Sequence, residues 1–132
     1  TSHGAYKFKG DPKLDFDRLA TIAGLLPGFP LVLHGASSVP AELVAVCNQY
    51  GAKIPGAAGV PEEMLRKAAG MGICKINIDT DLRLAMTGQI RKYMAENPAE
   101  FDPRKYLTPA RNEIARVVAH KMRDVLGCSG KA

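Results

Sequence analysis

The chain has 132 residues, 46% of them apolar and 23% charged, with a net charge of +5. That is room for one domain with a core, and no apolar run approaches the ~20 residues of a membrane span. The Lys and Arg residues are scattered without an aromatic-basic platform, so the charge reads as solvated surface: no nucleic acid and no membrane is expected as partner, while small anionic substrates remain compatible.

No signal peptide is visible, and Thr1 opens the chain without a methionine, so a longer protein is expected. Cys47, Cys74 and Cys128 are widely spaced and form no Cys-x-x-Cys pair. They read as reduced thiols of a cytoplasmic protein, with Cys47 and Cys74 buried as small hydrophobes.

In chain order, Thr1–Tyr6 reads as the end of a strand entering a loop over Lys7–Lys13. Leu14–Leu26 carries Leu14, Phe16, Leu19, Ile22, Ala23 and Leu26 at helical spacing, and Pro27-Gly28 stops it. Phe29–Gly35 is a buried strand centred on Leu31-Val32-Leu33. Pro40–Tyr50 is a helix with Pro in its first turn and Glu42 at the positive dipole end. Ala52–Val60, broken by Gly and Pro, reads as a mobile loop.

Pro61–Met71 is a short helix, Ile73–Ile78 a strand and Leu82–Ala95 a helix ended by Asn97-Pro98. Asp102–Leu107 reads as a loop carrying Arg104, and Thr108-Pro109 as the N-cap and first position of the last helix. Strands alternating with helices predict parallel βα units in an α/β fold.

Three strand ends carry polar groups, which suggests one shared site at the carboxyl ends of parallel strands. His3 and His34 each precede a glycine. A strand-end histidine can simply bond a backbone carbonyl, but two His-Gly pairs favour metal ligation. A catalytic zinc needs three protein ligands and an open position, so a third ligand has to come from elsewhere. His120, within the last helix, reads as solvent-facing or structural.

The turn Gly35-Ala36-Ser37-Ser38 precedes a helix, and its amides could meet an anion, though many such turns bind nothing. Asp79-Thr80-Asp81 serves equally as a helix cap or as a grip on substrate hydroxyl and phosphate. Arg83 and Arg104 are either surface arginines or phosphate forks.

At Thr1–Phe8, Leu31–Ser38 and Lys75–Arg83 the sequence closely resembles the class II, metal-dependent fructose-bisphosphate aldolases. The similarity covers the whole chain, which looks like the carboxyl-terminal part, residues 1–132, of a single such domain. The resemblance implies a (β/α)8 TIM barrel, of which this chain would hold about strands six to eight with their helices. It implies Zn2+ at His3 and His34, and Gly4, Lys7, Gly35, Ser37, Asp79 and Thr80 around the phosphate of the dihydroxyacetone phosphate half.

It further implies that Asn77 holds substrate oxygens near the metal. Arg83 and Arg104 match positions that take the distal phosphate, one of them reaching across a subunit boundary. A monovalent cation, Na+ or K+, often accompanies that phosphate, and the assembly implied is a homodimer or homotetramer. The metal's part is that of a Lewis acid as the C3–C4 bond breaks. The family's proton-transfer aspartate and another zinc histidine belong to an amino-terminal half that this chain lacks. No catalytic acid is therefore expected here, and the chain alone is expected to be inactive.

Two other readings stand beside this one. A sister group cleaves tagatose bisphosphate, but usually carries alanine where this chain has Asp79, which favours the fructose substrate. A non-catalytic sugar-phosphate-binding or assembly fragment is the alternative from a different class.

Overall fold

The computed structural model describes residues 12–131. The strand expected at Thr1–Tyr6 and the candidates His3, Gly4 and Lys7 lie outside the described residues. The elements follow as α1 (Phe16–Leu25), β1 (Leu31–Leu33), α2 (Ala41–Gln49), α3 (Glu62–Ala69), β2 (Ile73–Ile76), α4 (Thr80–Glu96) and α5 (Pro103–His120). A π-helical turn, Lys121–Val125, continues α5.

Among the described residues, β1 and β2 form a two-stranded parallel sheet, joined by a crossover through α2 and α3. Pairing continues past the strand ends: the Asn77 amide donates to the Leu33 carbonyl at 2.9 Å, and the Ala36 amide to the Asn77 carbonyl at 3.2 Å. The two polar strand ends are thereby held side by side.

The expected helices at the chain start and centre are present with trimmed ends. Asp15 caps α1 by accepting from the Arg18 amide at 2.9 Å. The last helix differs. It starts at Pro103, not at Thr108-Pro109, because Asp102 accepts from the Arg104 amide at 2.9 Å and Pro103 takes the first position. Asp-Pro carries the same start signal as Thr-Pro, six residues earlier, and the helix begins at the earlier one. Pro109 is then interior, and Thr108 turns its hydroxyl to the Arg104 carbonyl at 2.6 Å.

Two apolar clusters flank the strand ends. One gathers Val39, Leu43, Cys47, Leu84, Ala85 and Val117, and the other Ala36, Val60, Leu65 and Val125. The turn after β1 roots Ala36 in one core and Val39 in the other. Close contact between α2 and α4 explains a glycine in mid-helix: a Cβ on Gly88 would stand 3.2 Å from Val46 Cγ1 and 3.4 Å from Cys47 Sγ.

Two burial expectations need correction. Cys47 is fully buried, but Cys74 is exposed, because it faces outward from β2, where no described element covers it. The stretch Leu31–Leu33 is only half-buried, with Val32 44% exposed. Parallel strands are ordinarily covered on both faces, and the described helices do not cover both faces of this pair. The segment 52–60 has no regular structure, as expected, yet both its ends are pinned. The Asn48 side chain bonds the Ile54 amide and carbonyl at 2.9 and 3.1 Å, and Val60 is buried with its amide on the Ser37 carbonyl at 3.0 Å.

Candidate functional site

The site is built from the two turns that leave β1 and β2. Gly35, at φ +63°, reverses the chain after His34. Ser37 is fully buried, and its Oγ accepts from the Asp79 and Thr80 amides, each at 3.1 Å. A hydroxyl from one strand end therefore occupies the amino-terminal amides of the helix that follows the other. Asp79 is the N-cap residue of α4 by position, but its own side chain makes no cap bond.

Asp81 is the buried pivot of the site. Its carboxylate is 0% exposed and accepts from the Ser38 amide at 3.1 Å, the Ser38 hydroxyl at 3.0 Å and the Val39 amide at 2.8 Å. Val39 has φ +51°, a left-handed conformation that a β-branched residue resists. The bond to Asp81 and burial of the Val39 side chain hold it there. Gly59 presses on the same turn from the other side: a Cβ there would run into the Ser37 and Ser38 backbone.

The charge on Asp81 is met by Lys121, itself 4% exposed, whose Nζ lies 3.0 Å from Asp81 Oδ2 and 2.5 Å from Ser38 Oγ and also binds Glu62. Glu62 takes His120 on its other oxygen at 2.8 Å, and His120 Nδ1 meets Asp124 at 2.9 Å. Hydrogen bonds to Glu62 and Asp124 raise the His120 pKa above its ordinary value. Burial pushes the Glu62 carboxyl up, but the bonds from Lys121 and His120 outweigh it and leave its pKa lowered. His120 is thus structural rather than solvent-facing, a hydrogen-bonded link between α3 and the end of α5.

His34 is exposed at the strand end, its Nδ1 3.0 Å from Asn77 Nδ2. The contact admits two proton arrangements: the amide donates to an unprotonated Nδ1, or, with the amide turned, Nδ1–H donates to oxygen and Nε2 keeps its lone pair. The second is the arrangement by which a partner orients a metal-binding imidazole. The donor fits zinc chemistry, but among the described residues no group of three His, Cys, Asp or Glu side chains could hold an ion.

The structure therefore brings His34, Gly35, Ser37, Asn77, Asp79 and Thr80 together. The amides of Ala36, Ser38 and Val39 bond within the protein, so they do not form the anion-facing cradle that the turn's sequence suggests. Arg83 stands beside the cluster and is paired with Asp79 through 3.0 Å contacts. Arg104 does not join it. Its guanidinium bonds Asp102, which lowers that carboxyl's pKa, and it stands at the opposite end of α5 from His120. Sixteen residues at ~1.5 Å rise put it about 24 Å from that helix end.

Sequence reasoning missed the Asp81–Lys121–Glu62–His120 chain. Asp81 was legible as a cap candidate, but Lys121 and Glu62 look like ordinary helix-surface charges, and only the packing of the π-helical turn on α3 brings them in.

Parallel strands whose carboxyl ends carry the polar cluster, each followed by a helix, define an α/β chain with its site in the strand-end loops. Comparison with known proteins narrows this. The family described as fructose-bisphosphate aldolase class-II matches residues 1–131, and the chain belongs to it. It is 50% identical to a fructose-bisphosphate aldolase of Treponema pallidum over 144 aligned residues and 54% identical to one of Thermus caldophilus over 132. It is 51% identical to one of Giardia intestinalis. Each alignment covers all of this chain but only 41–43% of the relative, so the chain spans less than half the length of those proteins.

Proposed function

We propose that this chain is the carboxyl-terminal portion of a (β/α)8 barrel that cleaves fructose 1,6-bisphosphate to dihydroxyacetone phosphate and glyceraldehyde 3-phosphate, and runs the reverse condensation. The observation that carries the reading is the Ser37 clamp, which joins the motif at 31–38 to the motif at 75–83, each already matched by the family over residues 1–131. The incompletely covered strand pair fits a barrel whose remaining strands lie elsewhere in the polypeptide.

In this reading His34 and His3 hold Zn2+ with a histidine from the amino-terminal half. The metal supplies Lewis-acid stabilisation of the charge that develops as the C3–C4 bond breaks. Asn77 fixes the His34 ring and faces the substrate oxygens. Gly4, Lys7, Gly35, Ser37, Asp79 and Thr80 surround the near phosphate, with Na+ or K+ beside it. Gly35 gives close backbone approach, and the positive dipole end of α4 favours an anion nearby, although its Asp79 and Thr80 amides are held by Ser37. Asp79 also anchors Arg83, which turns to the distal phosphate when substrate displaces that exposed pair.

Arg104, too far along α5 to serve its own strand ends, serves the distal phosphate of a neighbouring subunit in a homodimer or homotetramer. Asp79 favours fructose over tagatose bisphosphate. The proton on the C4 hydroxyl is handled by an aspartate outside this chain. The enzyme works in the cytoplasm.

The experiment is complementation. Mixing this chain with an amino-terminal half of a family member restores cleavage of fructose 1,6-bisphosphate, and EDTA abolishes it. Unchanged inactivity of a mixture that forms a folded, zinc-loaded complex favours instead a fragment that only holds sugar phosphate.

A further inference from the structure

We infer that Lys121 is a positioning residue for phosphate binding: from the π-helical turn that ends α5, its ammonium fixes the Ser37–Val39 turn through Ser38 and Asp81. The inference rests on the sugar-phosphate reading above and adds to it a residue some forty positions beyond the last strand-end motif.

Three observations carry it. The ammonium is buried, donates to Ser38 Oγ and Glu62, and stands 3.0 Å from Asp81 Oδ2 as an ion pair. The turn it braces is the one least able to hold itself, since Val39 sits at φ +51° with its amide on the same carboxylate. And the helix end is wound as a π-turn, which departs from α geometry where His120 and Lys121 both need to reach Glu62.

Electrostatically, a buried Asp81 without a cation would be a charge without compensation, and would draw in water or shift. The Ser38 and Val39 amides would lose a fixed acceptor. Ser37, one residue before, carries the hydroxyl that holds the Asp79 and Thr80 amides. Displacement of the turn therefore propagates through Ser37 to the start of α4 and to the Asp79 and Thr80 side chains placed beside the phosphate. Lys121 touches no substrate in this scheme. It acts through Asp81 and Ser38.

The test uses the full-length polypeptide with its metal, and two variants. Lys121→Met removes the charge at nearly constant length. Glu62→Gln keeps the Lys121–Asp81 pair and weakens the holds on Lys121 and His120 without removing the buried cation, so it serves where the first variant fails to fold. Amide hydrogen exchange is followed at Ser38 and Val39 against core amides of Leu43 and Ala85, and binding of dihydroxyacetone phosphate is titrated.

The expected result is exchange accelerated at Ser38 and Val39 alone, with dihydroxyacetone phosphate bound about tenfold more weakly in Lys121→Met and about threefold in Glu62→Gln, at unchanged zinc content. Parent-like exchange at Ser38 and Val39, or uniform acceleration that includes the core, overturns the inference. So does unchanged affinity for dihydroxyacetone phosphate. Local acceleration in a protein whose parent form binds no dihydroxyacetone phosphate upholds the hold on the turn and sinks the aldolase reading instead.

Discussion

Two charged regions of this molecule are built on opposite terms. At the strand ends, Asp81 and Lys121 are withdrawn from water and every partner is spoken for, down to the backbone amides of Ser38 and Val39. On the surface, Arg83–Asp79 and Arg104–Asp102 are short contacts between exposed arginines and carboxylates of which Asp102 alone is mostly covered. The first arrangement fixes a backbone shape, because a buried charge without its partner is costly. The second leaves arginines whose pairs are weakened by solvent and easily exchanged for a phosphate. The sequence makes these charges look alike; their solvation separates them.

The contrast is broken most forcefully at its buried end. Asp81→Ala, which strands Lys121 beside Glu62, is expected to destabilise the full-length polypeptide by about 3 to 5 kcal/mol in urea unfolding. A loss below about 1 kcal/mol would place this pair with the surface pairs.

A smaller effect is expected at the partly exposed rim of the cluster, and it depends on pH. His120 has a raised pKa, so its contribution is fully present below the ordinary 6.5 and is lost as pH rises through the raised folded value. Glu62 has a lowered pKa, so its contribution is present above the ordinary 4.5 and is lost as pH falls through the lowered folded value. Melting temperature should therefore fall more steeply with rising pH above the ordinary 6.5 in the parent than in His120→Gln. Parallel profiles from about pH 5 to about 9 would remove His120 from the stability balance.

The smallest effect on folding is expected at Arg104. Arg104→Ala should leave the urea-unfolding midpoint close to that of the parent, because its bonds to Asp102 are exposed on the arginine side, and the Asp102 cap to the Arg104 amide survives. On the aldolase reading the same variant raises KM for the bisphosphate far more than it disturbs folding. Unaltered kinetics would take Arg104 out of the site.

Much of the fold was legible because its signals are local. Apolar spacing marked α1, a first-turn proline and Glu42 marked α2, β-branched residues marked β2, and the strand-end motifs placed His34, Asn77 and Asp79 near one another before any coordinates. The start of α5 was misplaced for an equally local reason: Asp102-Pro103 and Thr108-Pro109 are competing start signals, and periodicity cannot rank them. The exposure of Cys74 and the half-buried state of β1 depend on what covers the sheet, which a reading of one segment at a time does not contain.

The amino-acid sequence by itself determined the parallel βα order and the family, since both reside in short motifs and their order along the chain. Tertiary structure alone decided that Ser37 clamps the start of α4, that Val39 is held in a left-handed conformation, and that Lys121 closes on Asp81 from forty residues away. The physical reason is that burial turns an ordinary lysine and an ordinary aspartate into a fixed pair, and burial is a property of how helices pack rather than of the residues that compose them.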